Sequence, residues 1–289
     1  MLKESKYPYF LVLPSLIFLI LLTIYPLFYA LYYSFHYWVI GSPVIFIGLD
    51  NYYFVLTNPL FINSLIITLK FSGIVVAIQL LLGLAIALGV SGIKRGQGLI
   101  CALLIMPMSV APVIAGIIFR YLYFKGTGVV HYFLSLLGIP LPPEGILGNP
   151  DTAFWGLVVT DVWEWTPFIS LIILASLLSV PSDIVEAARV DGASSVKIFR
   201  HITLPLIKPT LFIAAMLRFM QAYNTFDIVY VETGGGPGTT TQTLSHYLFY
   251  EGLVYYRLGY ASALTLIIFL IAIVVINIYL KFTIFRGGE

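Results

Sequence analysis

Six long apolar stretches most constrain the fold of this chain of 289 residues. They lie at roughly 9–33, 64–90, 99–124, 154–180, 210–231 and 258–282. A bilayer core of about 30 Å needs about 20 apolar residues in a helix that rises about 1.5 Å per residue. Only 10% of residues are charged, against roughly 25% in an average soluble domain. The sequence therefore predicts an all-α membrane protein with six transmembrane helices in a single domain, residues 1–289.

The distribution of Lys and Arg predicts the orientation of these helices. Cytoplasmic loops normally carry more Lys and Arg than outer loops. With both termini in the cytoplasm, ten basic residues fall on the inner side and three on the outer side. The inner ten are Lys3, Lys6, Lys94, Arg95, Arg189, Lys197, Arg200, Lys208, Lys281 and Arg286, and the outer three are Arg120, Lys125 and Arg257. We therefore expect cytoplasmic termini and a cytoplasmic loop at 181–209.

Composition and motifs exclude several classes of function. The net charge is only +2 and the basic residues are scattered, which disfavours nucleic acid as a partner. The single cysteine, Cys101, cannot form an internal disulfide, and the four histidines lack metal-ligand spacing. The glycine-rich segment 234–238 lacks the Lys of a phosphate-binding loop, and no such loop occurs elsewhere in the sequence. We therefore expect no ATPase activity, no metal and no cofactor on this chain.

The cytoplasmic loop combines residues that form, turn and end helices. The segment 186–188 continues a helix, and Gly192 readily adopts a positive φ. A second short helix starts near Ser194, and Leu204, Pro205 and Pro209 are expected to end it and return the chain to the membrane. This pattern predicts a helix–turn–helix hairpin that fits a cleft on a partner protein. The alternative is an amphipathic connector lying on lipid headgroups.

These loop residues resemble, in type and spacing, the signature of permease subunits from ATP-binding-cassette importers. Further segments, 48–52, 161–168, 226–230, 233–237 and 241–244, are similar to the carbohydrate branch of that family, and the likeness runs from about residue 8 to 285. The first permease of maltose and glycerol-phosphate uptake systems is the most similar type. The resemblance implies the type I importer permease fold. It also implies ATPase-coupling residues, namely Glu186, Ala187, Ala188, Asp191, Gly192, Ala193, Ser194, Ile202, Leu204 and Pro205.

The resemblance also implies partners and a location. The chain would be a multi-pass protein in the plasma (inner) membrane of a prokaryote. It would work with a second, non-identical permease, with two ATPase subunits that bind ATP and Mg²⁺, and with an extracytoplasmic substrate-binding protein. Its cargo would be a small-molecule sugar or a related polyol or glycerol-phosphate compound. Disaccharides, monosaccharides, oligosaccharides and glycerol phosphate all remain open.

Several polar residues lie inside the fourth and fifth apolar stretches. Ionisable groups are costly in hydrocarbon and usually face a pathway or a partner. Asp161, Glu164 and Trp165 share one helix face. We expect Glu164 and Arg218 to pair or to line one polar cavity, although a purely structural ion pair is an equal alternative. Candidate residues of the substrate path are Asp161, Trp163, Glu164, Trp165, Phe168, Arg218, Gln221, Tyr223, Asn224 and Asp227.

Two other classes of function remain open at this stage. A stand-alone secondary transporter or channel would use Asp161, Glu164 and Asp227 as a proton or ion relay. It would not need the pattern at 186–205. A structural or signalling membrane protein would not need buried charges on facing helices.

Overall fold

The computed structural model describes residues 7–93 and 95–284, and within these ranges the protein is predominantly helical. Lys3, Lys6, Lys94 and Arg286, which contribute to the orientation argument, lie outside the described residues. The helices are α1 (Tyr7–Leu19), α2 (Tyr25–Ser34), α3 (Asp50–Thr57), α4 (Pro59–Ser91), α5 (Gln97–Met108), α6 (Pro112–Leu122), α7 (Val129–Leu136), α8 (Pro150–Leu178), α9 (Ser182–Val190), α10 (Ser195–Ile198), α11 (Leu204–Tyr223), α12 (Asp227–Glu232), α13 (Leu244–Phe249) and α14 (Leu258–Ile284).

Short irregular elements complete the fold. Single π-helical turns occupy Ile20–Ile24, Phe199–Thr203 and Tyr250–Val254. The first joins α1 to α2 and the second joins α10 to α11. The strands β1 (His36–Tyr37) and β2 (Ile45–Phe46) form an antiparallel hairpin with His36 opposite Phe46.

The membrane-spanning prediction is confirmed in its main feature. Within residues 7–93 and 95–284, five helical segments are long and apolar enough to cross a membrane, or six if the pair α5 and α6 counts as one span. The third stretch, expected as one helix over 99–124, instead bends by 83° between Met108 and Pro112. Pro112 starts α6, where its missing N–H costs no hydrogen bond, so the chain can change direction there.

The fifth stretch differs most from its predicted bounds of 210–231. A continuous helical segment runs from Ser195 to Tyr223 and therefore includes the second half of the loop expected at 181–209. The expectation that Leu204, Pro205 and Pro209 end a short helix is wrong. A proline inside a regular α-helix clashes with the carbonyl four residues before it. The π-helical turn at Phe199–Thr203 includes His201, the residue four before Pro205, and lets the helix continue past the proline.

Residues 7–62 and 247–273 form one compact unit. The buried Asn51 donates hydrogen bonds from Nδ2 to the carbonyls of Ser34 and His36, both at 2.9 Å, and so joins α3 to the end of α2. Asn58 donates to the hydroxyls of Tyr247 (3.0 Å) and Tyr260 (3.2 Å). These bonds connect the segment after α3 to α13 and α14 within this unit.

Residues 63–246 and 274–284 belong to a second compact unit. Its core packs α4, α8, α11 and α12 through buried side chains such as Val75, Leu157 and Val229. A second cluster, including Ile169, Ile173 and Ile207, packs the other ends of α4 and α8 against α11. A Cβ added at Gly83 would lie 2.7 Å from Cγ2 of Ile169, so α4 and α8 approach closely there. The prediction of a single domain over 1–289 stays a prediction.

Candidate functional site

A polar cavity of about 110 Å³ lies within the second unit. It is bounded by α8, by the end of α11, by the segment that leads into α12, and by Pro112 at the start of α6. Its lining residues are Pro112, Asp161, Glu164, Trp165, Arg218, Gln221, Asn224, Thr225, Phe226, Asp227 and Ile228. The cavity therefore concentrates polar and charged groups between helices that are otherwise apolar.

Arg218 occupies one wall of the cavity and is 1% exposed. Its Nη2 donates to Oδ1 of the buried Asp161. Its Nε donates to Oε1 of Gln79 at 2.9 Å, and Nε2 of Gln79 in turn donates to Oδ1 of Asp161 at 2.9 Å. The guanidinium carbon lies 5.2 Å from the centre of the Trp165 ring. Three helices, α4, α8 and α11, are thus joined by one closed hydrogen-bonded triangle.

Glu164 is also buried, with 1% of its surface exposed. Neither of its carboxylate oxygens has a hydrogen-bond partner among the residues that the structure describes. The predicted pairing of Glu164 with Arg218 is therefore wrong, because Asp161 and Gln79 already hold the guanidinium. Glu164 and Arg218 do line one cavity, which was the second form of that expectation.

The structure brings together seven of the ten residues expected along the substrate path. They are Asp161, Glu164, Trp165, Arg218, Gln221, Asn224 and Asp227. Trp163 is 39% exposed and its ring lies 5.2 Å from that of Phe119, away from the cavity. Phe168 contributes to the apolar packing around Ile169, and Tyr223 is buried with its ring stacked on Phe219. These three residues are not part of the cavity wall.

Gln79 is the functional candidate that sequence reasoning missed. It is fully buried and bonds to both members of the ion pair. A signal was present, because a glutamine stands in the apolar second half of α4, where an unsatisfied amide would be costly. Thr225 and Phe226 were also missed, because they lie in the break between α11 and α12 that the sequence had assigned to one helix, and Ile228 follows that break in the first turn of α12.

The predicted helix–turn–helix hairpin is present at Ser182–Ile198. Helix α9 ends at Val190, and Gly192 has φ +80°. The N–H of Gly192 donates to the carbonyl of Arg189 at 3.0 Å, and the N–H of Ala193 donates to that of Ala188 at 2.9 Å. This is a Schellman motif, in which a left-handed residue satisfies the last carbonyls of a helix. Gly192 therefore has the turn-forming position that the sequence predicted.

The second arm of the hairpin begins with a capped helix. The side-chain oxygen of Ser194 accepts from the N–H of Lys197 at 3.4 Å, so Ser194 is the N-cap of α10. Glu186, Ala187, Asp191 and Gly192 are exposed. Val190 and Val196 are apolar yet 88% and 75% exposed. The tip of the hairpin thus presents both charged and apolar groups to its surroundings.

The inner edge of the hairpin faces the ends of α4 and α8. A cavity of about 410 Å³ separates them, and Val185, Glu186, Ile198 and Phe199 contribute to its lining from the hairpin side. Ile198 is buried, so α10 is anchored to the helical bundle while the tip remains exposed. The hairpin follows α8 after three residues and leads directly into α11. The two helices that carry Asp161 and Arg218 are therefore the two arms on which the hairpin is mounted.

The burial of Glu232 at the end of α12 is expected to make the stability of the folded protein depend on pH. It is 4% exposed, and neither carboxylate oxygen has a hydrogen-bond partner within the described part of the chain. Burial raises the pKa of Glu232 from 4.5 to about 8. Between these values the folded protein holds a proton that the unfolded chain has lost. We therefore expect the free energy of unfolding to fall by about 3–5 kcal/mol as the pH rises through this window.

The variant Glu232→Gln isolates this effect, because glutamine cannot ionise. We expect it to be more stable than the parent at pH 8–9 and to lose the difference near pH 4.5, as measured by thermal unfolding in detergent over this range. Glu144→Gln changes an exposed carboxyl and serves as the matched control. Equal pH dependence in the parent and Glu232→Gln would contradict the assignment.

Comparison with known proteins decides the family. Residues 79–283 match the model of the family described as the binding-protein-dependent transport system inner membrane component. The matched region includes α8, the hairpin and α11, and therefore every residue that lines the cavity. The chain belongs to this family. The prediction of an ATP-binding-cassette importer permease is thereby confirmed, as is its membrane nature.

Individual relatives of this permease cover almost its full length. The trehalose/maltose transport system permease MalF of Thermococcus litoralis is 37% identical over 286 residues, which are 98% of this chain and 96% of that protein. The sulfoquinovosyl glycerol transport system permease SmoG of Agrobacterium fabrum is 36% identical over 275 residues, which are 94% of this chain and 88% of that protein.

A solved structure shows the same fold for this permease. A chain of a bacterial transporter that imports the acidic polysaccharide alginate has a TM-score of 0.86 at 22% identity. The match covers 99% of this permease and 98% of that chain. The architecture is therefore that of an importer permease, as the sequence resemblance implied.

Proposed function

We propose that this permease forms half of the translocation path of an importer for a sugar or a related polyol or glycerol-phosphate compound. In this proposal the hairpin Ser182–Ile198 couples the permease to a separate ATPase. The cavity at Asp161, Glu164 and Arg218 is part of the path taken by the substrate. The relatives described above support carbohydrate cargo, since their names specify trehalose, maltose and sulfoquinovosyl glycerol. The family description supports delivery of that cargo by a binding protein.

One observation carries the mechanical part of this proposal. The helical segment that starts in the hairpin at Ser195 continues without a break to Tyr223 and spans 29 residues. At about 1.5 Å per residue, Arg218 lies about 35 Å along this segment from Ser195. A displacement of the hairpin is therefore applied directly to one wall of the cavity. The other wall, on α8, is joined to the opposite arm of the hairpin at Leu178.

The cavity contains groups that can bind a ligand, and it lies between helices whose movement can switch the path between two states. A rigid-body rotation of α11 against α8 about the bond between Arg218 and Asp161 changes the distance between Glu164 on α8 and Gln221 near the end of α11. Hydroxyl-rich ligands need amide or carboxylate partners next to aromatic faces. Gln221, Asn224 and Trp165 supply such groups in the cavity wall.

The complete machine that we propose has five polypeptides of four kinds. The present permease pairs with a second, non-identical permease. Two ATPase subunits bind ATP and Mg²⁺ on the cytoplasmic side, and a substrate-binding protein delivers cargo from outside. Both termini of this chain and the hairpin face the cytoplasm of a prokaryotic cell. The chain crosses the plasma membrane several times and does not hydrolyse ATP itself.

Reconstitution in proteoliposomes tests this function. We expect uptake of a carbohydrate by the assembled importer to require the binding protein and ATP, and to stop when the ATPase subunits are omitted. Co-purification of the ATPase subunits with the tagged permease is the companion measurement. Uptake by this chain alone, driven by a pH gradient without ATP, would instead support a stand-alone secondary transporter.

A further inference from the structure

The cavity wall has an excess of acidic groups. Three carboxylates, those of Asp161, Glu164 and Asp227, line it together with a single guanidinium, that of Arg218. The charge of Arg218 is already balanced in place, because Nη2 bonds to Asp161 and Nε bonds to Gln79. A ligand that enters this cavity therefore meets two further carboxyl groups and no cation that lacks a counter-charge among the lining residues.

Glu164 is the independent sign that a ligand group belongs here. The residue is 1% exposed, it lines the cavity, and both carboxyl oxygens lack a hydrogen-bond partner within residues 7–93 and 95–284. A buried polar group without a partner is costly and needs an explanation. A ligand hydroxyl that donates to Glu164 would supply the missing bond. An anionic ligand group cannot donate such a bond, and it would add negative charge beside Asp227 with no unpaired guanidinium in the cavity wall to balance it.

We infer that this site selects uncharged, hydroxyl-rich ligands and rejects anionic ones such as sugar acids and glycerol phosphate. This inference rests on the proposed function and narrows its substrate class. In it, Glu164 accepts a hydrogen bond from a ligand hydroxyl, and the ring of Trp165 faces the apolar C–H surface of the sugar. Asp227 adds negative potential at the rim. Like charges brought together in a poorly solvated site disfavour the wrong ligand strongly.

The test uses two sugars that differ at one position. Methyl α-glucoside has a hydroxymethyl group at C6, and methyl α-glucuronide has a carboxylate there. Binding to the full-length permease in lipid nanodiscs is followed by tryptophan fluorescence, and loss of the signal in Trp165→Phe locates it at the cavity. We expect the glucoside to bind about 100-fold more tightly than the glucuronide, because only the glucuronide brings a negative charge into this acidic cavity and has no C6 hydroxyl to donate to Glu164.

Two variants identify the cause of the preference. Glu164→Gln keeps the shape and supplies an amide N–H that can donate to the carboxylate of the glucuronide, so we expect the ratio of the two dissociation constants to narrow about tenfold. Glu144→Gln changes an exposed carboxyl outside the cavity and leaves the ratio unchanged. Equal binding of both sugars, binding of neither, or a ratio that does not respond to Glu164→Gln would each overturn the inference.

Uptake measurements on the assembled importer distinguish a failure of this inference from a failure of the proposed function. If ATP-driven uptake of carbohydrate occurs but anionic sugars are carried as well as neutral ones, the selectivity inference fails and the transport function stands. If the assembled importer carries no carbohydrate of either kind, the proposed function itself fails.

Discussion

Replacement of Arg218 by methionine is expected to lower the free energy of unfolding by about 3–5 kcal/mol. The variant leaves the carboxylate of Asp161 buried with only Gln79 as a partner, since Arg218 and Asp161 are 1% and 2% exposed. Removal of one member of a buried ion pair costs more than removal of both, because it leaves a charge uncompensated. Unfolding of the detergent-solubilised protein, followed by heat or denaturant, measures the loss.

Two further variants show whether the unpaired charge is the cause. The double variant Arg218→Met with Asp161→Asn removes both charges, and we expect it to recover more than half of the lost stability. Arg257→Met breaks the ion pair with Glu251, in which the glutamate side chain is 5% exposed but the arginine side chain is 57% exposed, and we expect a smaller loss than at Arg218 because water reaches this pair from the arginine side. A loss at Arg218 no larger than that at Arg257 would contradict the structural role of the triangle.

Replacement of Gly192 by valine is expected to abolish ATP-driven uptake through loss of ATPase binding. Gly192 has φ +80° at the turn of the hairpin. A side chain with a branched Cβ is strained by about 1–2 kcal/mol in that region, so the hairpin relaxes to another turn geometry. The exposed tip, including Glu186 and Val190, then no longer matches its partner. We expect at least a tenfold weaker association with the ATPase subunits in co-purification or titration.

The chain offers a closely matched control for this variant. Gly138 ends α7 with φ +69° and is exposed, and no atom lies within 4 Å of the position of an added Cβ at either glycine. The N–H of Gly138 donates to Ser135 and that of Ile139 to Leu134, both at 3.1 Å, in the same Schellman motif. Gly138→Val is expected to cost similar stability and to keep ATPase binding. Equal binding by both variants would argue against the hairpin as the docking element.

The sequence predicted the hairpin better than it predicted the ends of the helices. Gly192 and Ser194 have local roles, because positive φ and N-capping depend on residue type and near neighbours. The extent of the fifth span depended instead on Pro205, which normally ends a helix. The π-helical turn at Phe199–Thr203 removes that limit, and no composition rule signals such a turn.

The sequence predicted most of the residues that line the cavity, but it did not predict which of them bond to one another. Polar residues in apolar helices identify a site, since burial of each is costly. Which of them bond depends on how the helices are rotated and shifted. Here Gln79 of α4 and Asp161 accept from Nε and Nη2 of the guanidinium that Glu164 was expected to hold. The rotation of α8 also explains why Trp163 is exposed, because this residue lies on the opposite side of the helix from the cavity residues.

Distance measurements between spin labels test the central claim most directly. Labels at Val196 and Met220, both exposed, report on the continuous helical segment, and labels at Val159 and Met220 report on the separation between α8 and α11. Cys101 is replaced by serine so that only the introduced cysteines are labelled. When the ATPase subunits of the assembled importer are trapped with ATP, we expect the Val196–Met220 separation to stay at about 36 Å, because the helical segment moves without bending. We expect the Val159–Met220 separation to change. A constant distance between the labels at Val159 and Met220 would contradict the account. A helical segment that shortens or bends while ATP is bound would also contradict it.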